Sequence, residues 1–271
     1  LNNIFLDPVL PDHWRIIAMI IDTHAHYDDE QFDADREALL GMMQENGIGK
    51  IVNASAAISS WDSVIELTRR YPFVYGMIGV HPDEVGGLDE EKLFRMEQLL
   101  KEEKIVAVGE IGLDYYWDQE SHDVQKKWFV RQLELAEKLG KPVNIHSRDA
   151  AADTMEIMRE YGKRLRGIIH CYSYSPEMAA EYVKMGYSIG IGGVVTFKNG
   201  RKLKETVQEV PIESLVLETD CPYLSPEPNR GKRNSSLNLK YVAAAIAELK
   251  GITPEEVIQI TSENAERIYG I

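Results

Sequence analysis

Ile20-Ile21-Asp22-Thr23-His24-Ala25-His26 is a short apolar run that ends in two histidines one residue apart. Side chains alternate in direction along an extended strand, so His24 and His26 leave the same face, close enough to share one metal ion. An isolated pair of this kind also arises by chance in turns, and the frequency of imidazole as a ligand does not decide between the two readings. The rest of the chain decides it.

Beyond this run the chain alternates helical and extended patterns. Helical spacing covers 33–46, with Ala38, Leu39, Met42 and Met43 on one stripe and Gly47 as a left-handed cap. Strands are expected at 50–54, 73–80, 105–112, 142–146, 167–170, 187–190 and 215–218, the second of these ended by Pro82. Helices are expected between them at 61–70, 89–101, 122–139, 150–161, 176–185 and 202–210, with Gly140 terminating the long one. Counting the first run, this makes eight strands at a period of roughly 30 residues, as consecutive βαβ units require. Several strands are almost wholly apolar, which suits a sheet covered on both faces. A doubly wound sheet would place its ligand near a glycine-rich turn after the first strand, and none is present. In a closed barrel, reactive residues come from the carboxyl ends of several strands. The expected fold is therefore α/β, a (β/α)8 TIM barrel with a metal site at the C-terminal ends of its strands.

Length and composition agree. A chain of 271 residues, 44% apolar, can form one barrel domain, placed at 19–271. Residues 1–18 read as a leader or cloning remnant outside the fold, because Met19 stands directly before the first strand and numbering begins at a leucine. Thirty basic against 44 acidic side chains give a net charge of −14, which opposes a protein that coats nucleic acid and confines any phosphate contact to a local patch. Two distant cysteines, Cys171 and Cys221, suggest neither a zinc ribbon nor a disulfide framework, and a reducing, cytoplasmic location is expected. No apolar stretch is long enough to span a membrane.

The last inward positions of the strands carry the chemistry: His24 and His26 on the first, Glu110 on the fourth, His146 on the fifth, His170 on the sixth and Asp220 on the eighth. Four of seven histidines gather at strand ends with two carboxylates. Hydrogen bonds to backbone carbonyls would account for one or two of them but not for the set. Six N/O ligands exceed one tetrahedral zinc and suit two divalent ions, zinc, magnesium, manganese or similar, bridged by a carboxylate and a hydroxide. On the same parity Asp22, Asn144 and Glu218 face inward one step deeper. There they either orient imidazoles or make buried hydrogen bonds unrelated to metal.

At these residues the chain resembles the TatD family of metal-dependent deoxyribonucleases, within the amidohydrolase-like metallohydrolases. The resemblance runs from Met19 to Ile271 through Asp22-Thr23-His24-Ala25-His26, Gly79-Val80-His81-Pro82, Gly109-Glu110-Ile111-Gly112-Leu113-Asp114-Tyr115-Tyr116, His146-Ser147-Arg148, His170-Cys171-Tyr172-Ser173 and Glu218-Thr219-Asp220. It implies that His24, His26 and Asp220 hold one metal, that His146 and His170 hold the other, and that Glu110 bridges. Related barrels bridge with a carboxylated lysine on the fourth strand, but Lys104 lies at the wrong end of that strand, which leaves Glu110. After Arg230-Gly231-Lys232-Arg233-Asn234 the family usually continues with an acidic residue and proline. Here Ser235-Ser236 stand instead, which leaves the start of the next helix open.

The resemblance implies a DNA substrate, exonuclease-type cleavage and a preference for single-stranded ends. Asp220 is the candidate general base, and Glu110 the shared ligand that sustains catalysis. Around the same rim Arg148, Lys198, Arg201, Arg230, Lys232 and Arg233 are candidate phosphate contacts, although loops collect such charges in any case. His81 is placed either to hydrogen-bond a phosphate oxygen or to serve structurally before its proline turn. Tyr115, Tyr116 and Trp117 either stack on a base or pack their loop. The competing activity is hydrolysis of a small cyclic amide or lactone, since the same metals activate water for either centre. A non-catalytic nucleic-acid-binding barrel is opposed by the net charge and by the complete ligand set.

Overall fold

In the computed structural model, which describes residues 19–117, 120–161 and 164–271, the histidine-bearing run is the first strand of an eight-stranded sheet. The strands are β1 (Ile20–Ala25), β2 (Ile48–Ala54), β3 (Val74–Ile78), β4 (Ile105–Asp114), β5 (Val143–Arg148), β6 (Gly167–Ile169), β7 (Tyr187–Ile191) and β8 (Leu215–Leu217). Each pairs in parallel with the next. The seam between β8 and β1 closes at the carboxyl end, where the His26 N–H donates to Cys221 O at 2.8 Å and the Asp220 N–H to His24 O at 2.9 Å. A (β/α)8 barrel results, as expected from the alternation. The reading of residues 1–18 as a leader lies outside the described residues.

The helices are α1 (Arg36–Gly41), α2 (Trp61–Arg70), α3 (Glu90–Leu99), α4 (His122–Leu139), α5 (Ala151–Tyr161), α6 (Pro176–Lys184), α7 (Arg201–Glu209), α8 (Leu239–Lys250) and α9 (Pro254–Tyr269). Their limits reflect local chemistry. Asp89 and Ser175 accept N-terminal amides of α3 and α6, and Gly140 ends α4 at φ +65. The helix expected over 33–46 is instead the six-residue α1 between 3-10 turns at Glu30–Phe32 and Gln44–Asn46. The Arg36 guanidinium holds the incoming loop by its carbonyls, donating to Tyr27 O at 2.5 Å and Asp29 O at 3.0 Å, so the chain enters α1 only after Asp35. After β8, Ser236–Asn238 form a 3-10 turn that leads into α8.

Two apolar clusters result. The larger lies between sheet and helices. The smaller fills the barrel itself, with Ile21, Val52, Met77, Ala107, Ile168 and Val216 from six strands closed from below by Ile268 and Tyr269 of α9. The plug has a strong start, since Thr253 and Glu256 cap each other's backbone N–H groups and Pro254 opens the helix.

Candidate metal centre

The strand ends bring the six expected residues to one mouth, where they meet through named atoms. His24 is fully buried, and its Nδ1 lies 2.9 Å from Asn144 Oδ1. An amide oxygen only accepts, so Nδ1 carries the proton and the Nε2 lone pair points into the mouth. His26 repeats this arrangement, with Nδ1 donating to Ala54 O at 3.0 Å. The two Nε2 atoms therefore face each other at 2.9 Å. Two lone pairs that close repel unless a proton or a cation lies between them.

The carboxylates complete the enclosure. Glu110 Oε2 lies 3.4 Å from His24 Nε2 and 3.7 Å from His26 Nε2, while its Oε1 lies 2.8 Å from His146 Nδ1 and 3.5 Å from His170 Nε2. One oxygen thus serves each half of the mouth. Asp220 Oδ1 lies 3.4 Å from His26 Nε2 and 3.9 Å from His170 Nε2. Its backbone sits at φ +55, a left-handed conformation that Asp adopts more readily than most residues. Asp220 is also the most open of the six, with 20% of its side chain exposed.

Protonation reflects the same crowding. Burial would raise Glu110 and Asp220, yet the surrounding histidines outweigh it and hold both carboxyls below their ordinary values. Burial would lower His26 and His146, but carboxylates win: Asp220 and Glu110 lift His26 to about 9, and Asp114 and Glu110 lift His146 to about 9. His24 moves down, through burial and then the neighbouring His170. The mouth is an anionic pocket of oxygen and imidazole donors that draws protons when nothing else supplies positive charge. That donor set fits divalent cations, and the groups His24–His26–Asp220 and His24–Glu110–His170 each present converging ligand atoms.

His146 departs from the expected pairing with His170. Their ring centroids are 6.3 Å apart, and His146 instead groups with His81 and Asp114. Asp114 Oδ2 lies 2.9 Å from His146 Nε2, while its Oδ1 accepts the Tyr116 and Trp117 N–H groups at 2.8 and 2.9 Å. The sequence reading missed Asp114 because it ended β4 at residue 112. The strand runs two residues further, and Asp114 shares the parity of Glu110.

The deeper residues divide. Asn144 orients His24, and Glu218 Oε1 lies 3.3 Å from His170 Nδ1. Gly190 makes room for Glu218, since a Cβ there would stand 2.2 Å from Oε2. Asp22 serves the fold instead. It accepts from Thr219 Oγ1 at 2.7 Å, Thr219 N at 3.0 Å and Ser236 Oγ at 2.6 Å, so it ties β1 to the segment after β8. Tyr269 of α9, which the sequence reading did not single out, receives the Asn144 amide at 3.3 Å and donates to Thr23 O at 3.1 Å. Its signal was the capped C-terminal helix.

The rim is equally mixed. His81 borders the site, its ring 4.3 Å from that of His146, and its Nδ1 accepts the Asp83 N–H at the head of a 3-10 turn. Arg148 lies 3.8 Å over the Tyr116 ring, and Lys232 is exposed. Arg230 lies 4.1 Å over Phe197 and 3.9 Å from the half-exposed Glu227 carboxylate, a loose surface contact. Arg233 is engaged elsewhere: it forks the Asp35 carboxylate at 2.9 and 2.6 Å and donates to Gln31 O. Arg201 pairs with Glu205 on its own helix. Tyr115 stacks on His122 and bonds Asp153, which leaves Tyr116 and Trp117 as the exposed aromatics. Burial pushes the Cys171 and Cys221 thiols up, so both are neutral apolar neighbours. No helix among the described residues is long and apolar enough to cross a membrane.

Comparison with known proteins agrees with this geometry. The profile of the family described as TatD related DNase matches residues 21–270. The uncharacterized metal-dependent hydrolase YabD of Bacillus subtilis is 43% identical over 254 residues, which cover 93% of this chain and 100% of the relative. The uncharacterized metal-dependent hydrolase TatD of Mycobacterium tuberculosis is 35% identical over 260 residues, covering 93% and 98%. Among solved structures, the Escherichia coli TatD homologue YjjV superposes with a TM-score of 0.89 at 30% identity, covering 94% of this chain and 100% of that one.

Proposed function

The chain belongs to the TatD-related DNase family of metal-dependent hydrolases, and from that premise we propose that it cleaves phosphodiester bonds in DNA, as an exodeoxyribonuclease acting at single-stranded ends. The observation that carries the reading is the convergence of His24, His26, Glu110, His146, His170 and Asp220 on one mouth, with cations on its rim in a chain of net charge −14.

In this reading His24, His26 and Asp220 would hold one divalent ion and Glu110 would be shared with a second held by His170, which His146, now grouped with His81 and Asp114, would join by turning from Asp114 toward Glu110 Oε1. Divalent ions bound there would supply Lewis acidity, lowering the pKa of water to about 7 and polarising phosphoryl oxygens. Asn144 and Glu218 keep the His24 and His170 rings turned toward the mouth. Asp220, the most solvent-open ligand, is placed to take the proton from the attacking water. Arg148, Arg230 and Lys232 offset phosphate charge at the rim, with His81 beside them. A neutral amide or lactone would leave those cations without a role.

The test is turnover by the metal-loaded protein of end-labelled single-stranded DNA beside a panel of cyclic amides and lactones. Cleavage of DNA alone is expected. Turnover confined to the amide and lactone panel would replace the nuclease reading with the amidohydrolase one.

A further inference from the structure

The wall of the mouth beyond β4 is shaped for stacking, and the metal centre makes no use of it. Tyr116 and Trp117 are 54% and 56% exposed, in an edge-to-face pair with ring centroids 5.0 Å apart. The Arg148 guanidinium lies 3.8 Å over the Tyr116 ring and 5.5 Å from that of Trp117. Two adjacent aromatics each more than half exposed beside an active-site mouth mark a binding surface more than a packing accident. A polar anchor holds the wall in place. Asp114 accepts both backbone N–H groups through Oδ1, and its Oδ2 meets His146. Gln125 in turn bonds the Asp114 backbone in both directions, at 2.9 Å each. One carboxylate thus fixes the distance between the aromatic wall and a metal-centre imidazole. Arg148 is set from the other side, two residues beyond His146 on β5.

We propose that this wall is a nucleobase subsite. An unpaired base lies against Tyr116 and Trp117 while the adjoining phosphate enters the metal centre, with Arg148 supplying both a cation–π contact and charge for that phosphate. The proposal rests on the phosphodiesterase reading and adds a reason for strand preference. Within a duplex both faces of a base are covered by its neighbours, so only an unpaired or terminal base can present a face to the wall. Recognition is tolerant of sequence, because every base has such a face.

The test is a binding cycle on the full, metal-loaded chain, with two phosphorothioate oligomers of equal length, one of thymidines and one of baseless tetrahydrofuran spacers. Trp117→Ala is expected to weaken the thymidine oligomer by about tenfold, the effect of losing one base–aromatic stack, and to leave spacer binding within about twofold. Trp117→Phe should recover most of the loss and Trp117→Leu little of it, which separates an aromatic face from mere apolar bulk. Equal losses on both oligomers, equal binding of both by the unsubstituted protein, or full recovery by leucine would overturn the subsite. Turnover of bis(4-nitrophenyl) phosphate by the unsubstituted protein tests the phosphodiesterase reading separately, since that ester has no base.

Discussion

Replacing Asn144 by leucine tests whether the residues behind the metal centre serve the metal or only the fold. The side chains are close in volume, so the change removes polarity with little change of packing. Two hydrogen bonds are lost, His24 Nδ1 to Oδ1 at 2.9 Å and Nδ2 to Tyr269 at 3.3 Å, both in fully buried surroundings. The His24 N–H is left with no acceptor, at a cost of about 1–3 kcal/mol. For a domain of this size each kcal/mol lowers the melting temperature by about 2–4 °C. The ring is also free to turn its Nε2 lone pair away from His26 and Glu110. Loss of such an orienting partner lowers metal affinity by about 10–100-fold, or about 1.4–2.7 kcal/mol. Competition for metal against a chromophoric chelator measures the affinity, and the circular-dichroism melt of the metal-free protein measures the fold. Tyr269→Phe is the control, because it spares the His24 contact: it should lower the melt with less than about a threefold change in affinity. If Asn144→Leu lowers the melt and leaves metal affinity within twofold, Asn144 is an ordinary buried hydrogen bond and the reasoning fails.

Chelation should abolish hydrolysis while preserving the cooperative melt, because the barrel core is large enough to stand without metal; collapse of the fold would identify a structural site instead. Asp220→Asn should lower turnover by at least about 100-fold with metal occupancy measured alongside, and full activity with both ions bound would exclude Asp220 as base. In the metal-free protein His26 and His146 hold their protons up to about pH 9, so loading at pH 7 should release protons and affinity should climb with pH until about 9. Calorimetry in buffers of different ionisation enthalpy reads that release, and no buffer dependence would contradict it. Arg230→Ala combined with Lys232→Ala should reduce the slope of log affinity against log salt for single-stranded DNA by about 1.4, whereas Arg233→Ala, which breaks the Asp35 fork, should change the slope less and act on the fold.

What could be read from the sequence was what strand ends and alternation control. Parity places His146, His170 and Asp220 in line with Asn144, Ile168 and Val216, whereas register shifts between Asp22 and Ala25 and between Val108 and Ile111 break the alternation on β1 and β4, so His24, His26 and Glu110 were legible as residues of strand ends and not by counting along the strand. Asp114 was lost because β4 was ended at Gly112, whereas pairing with β5 carries it to Asp114 against Arg148. The break around α1 was hidden for a different reason. The apolar spacing is helical, but Arg36 binds the backbone of the preceding loop, a contact that periodicity does not register.

Contacts across the closed seam set the remaining limit. Parity counted along β1 predicts an inward Asp22, but β1 shifts register between Asp22 and Ala25, and the partners of Asp22 are Thr219 and Ser236, roughly 200 residues away, which only the return of β8 to β1 brings there. Arg233 makes the same point on the rim. Composition counts it as a free cation beside Arg230 and Lys232, but ring closure delivers Asp35 and Gln31 O to it, and its charge then fastens the last loop to the first. Sequence position therefore locates the ligands well and the substrate contacts poorly. Ligand placement depends on each strand's own end, whereas a rim charge is available to substrate only if no residue from a distant strand has already paired with it.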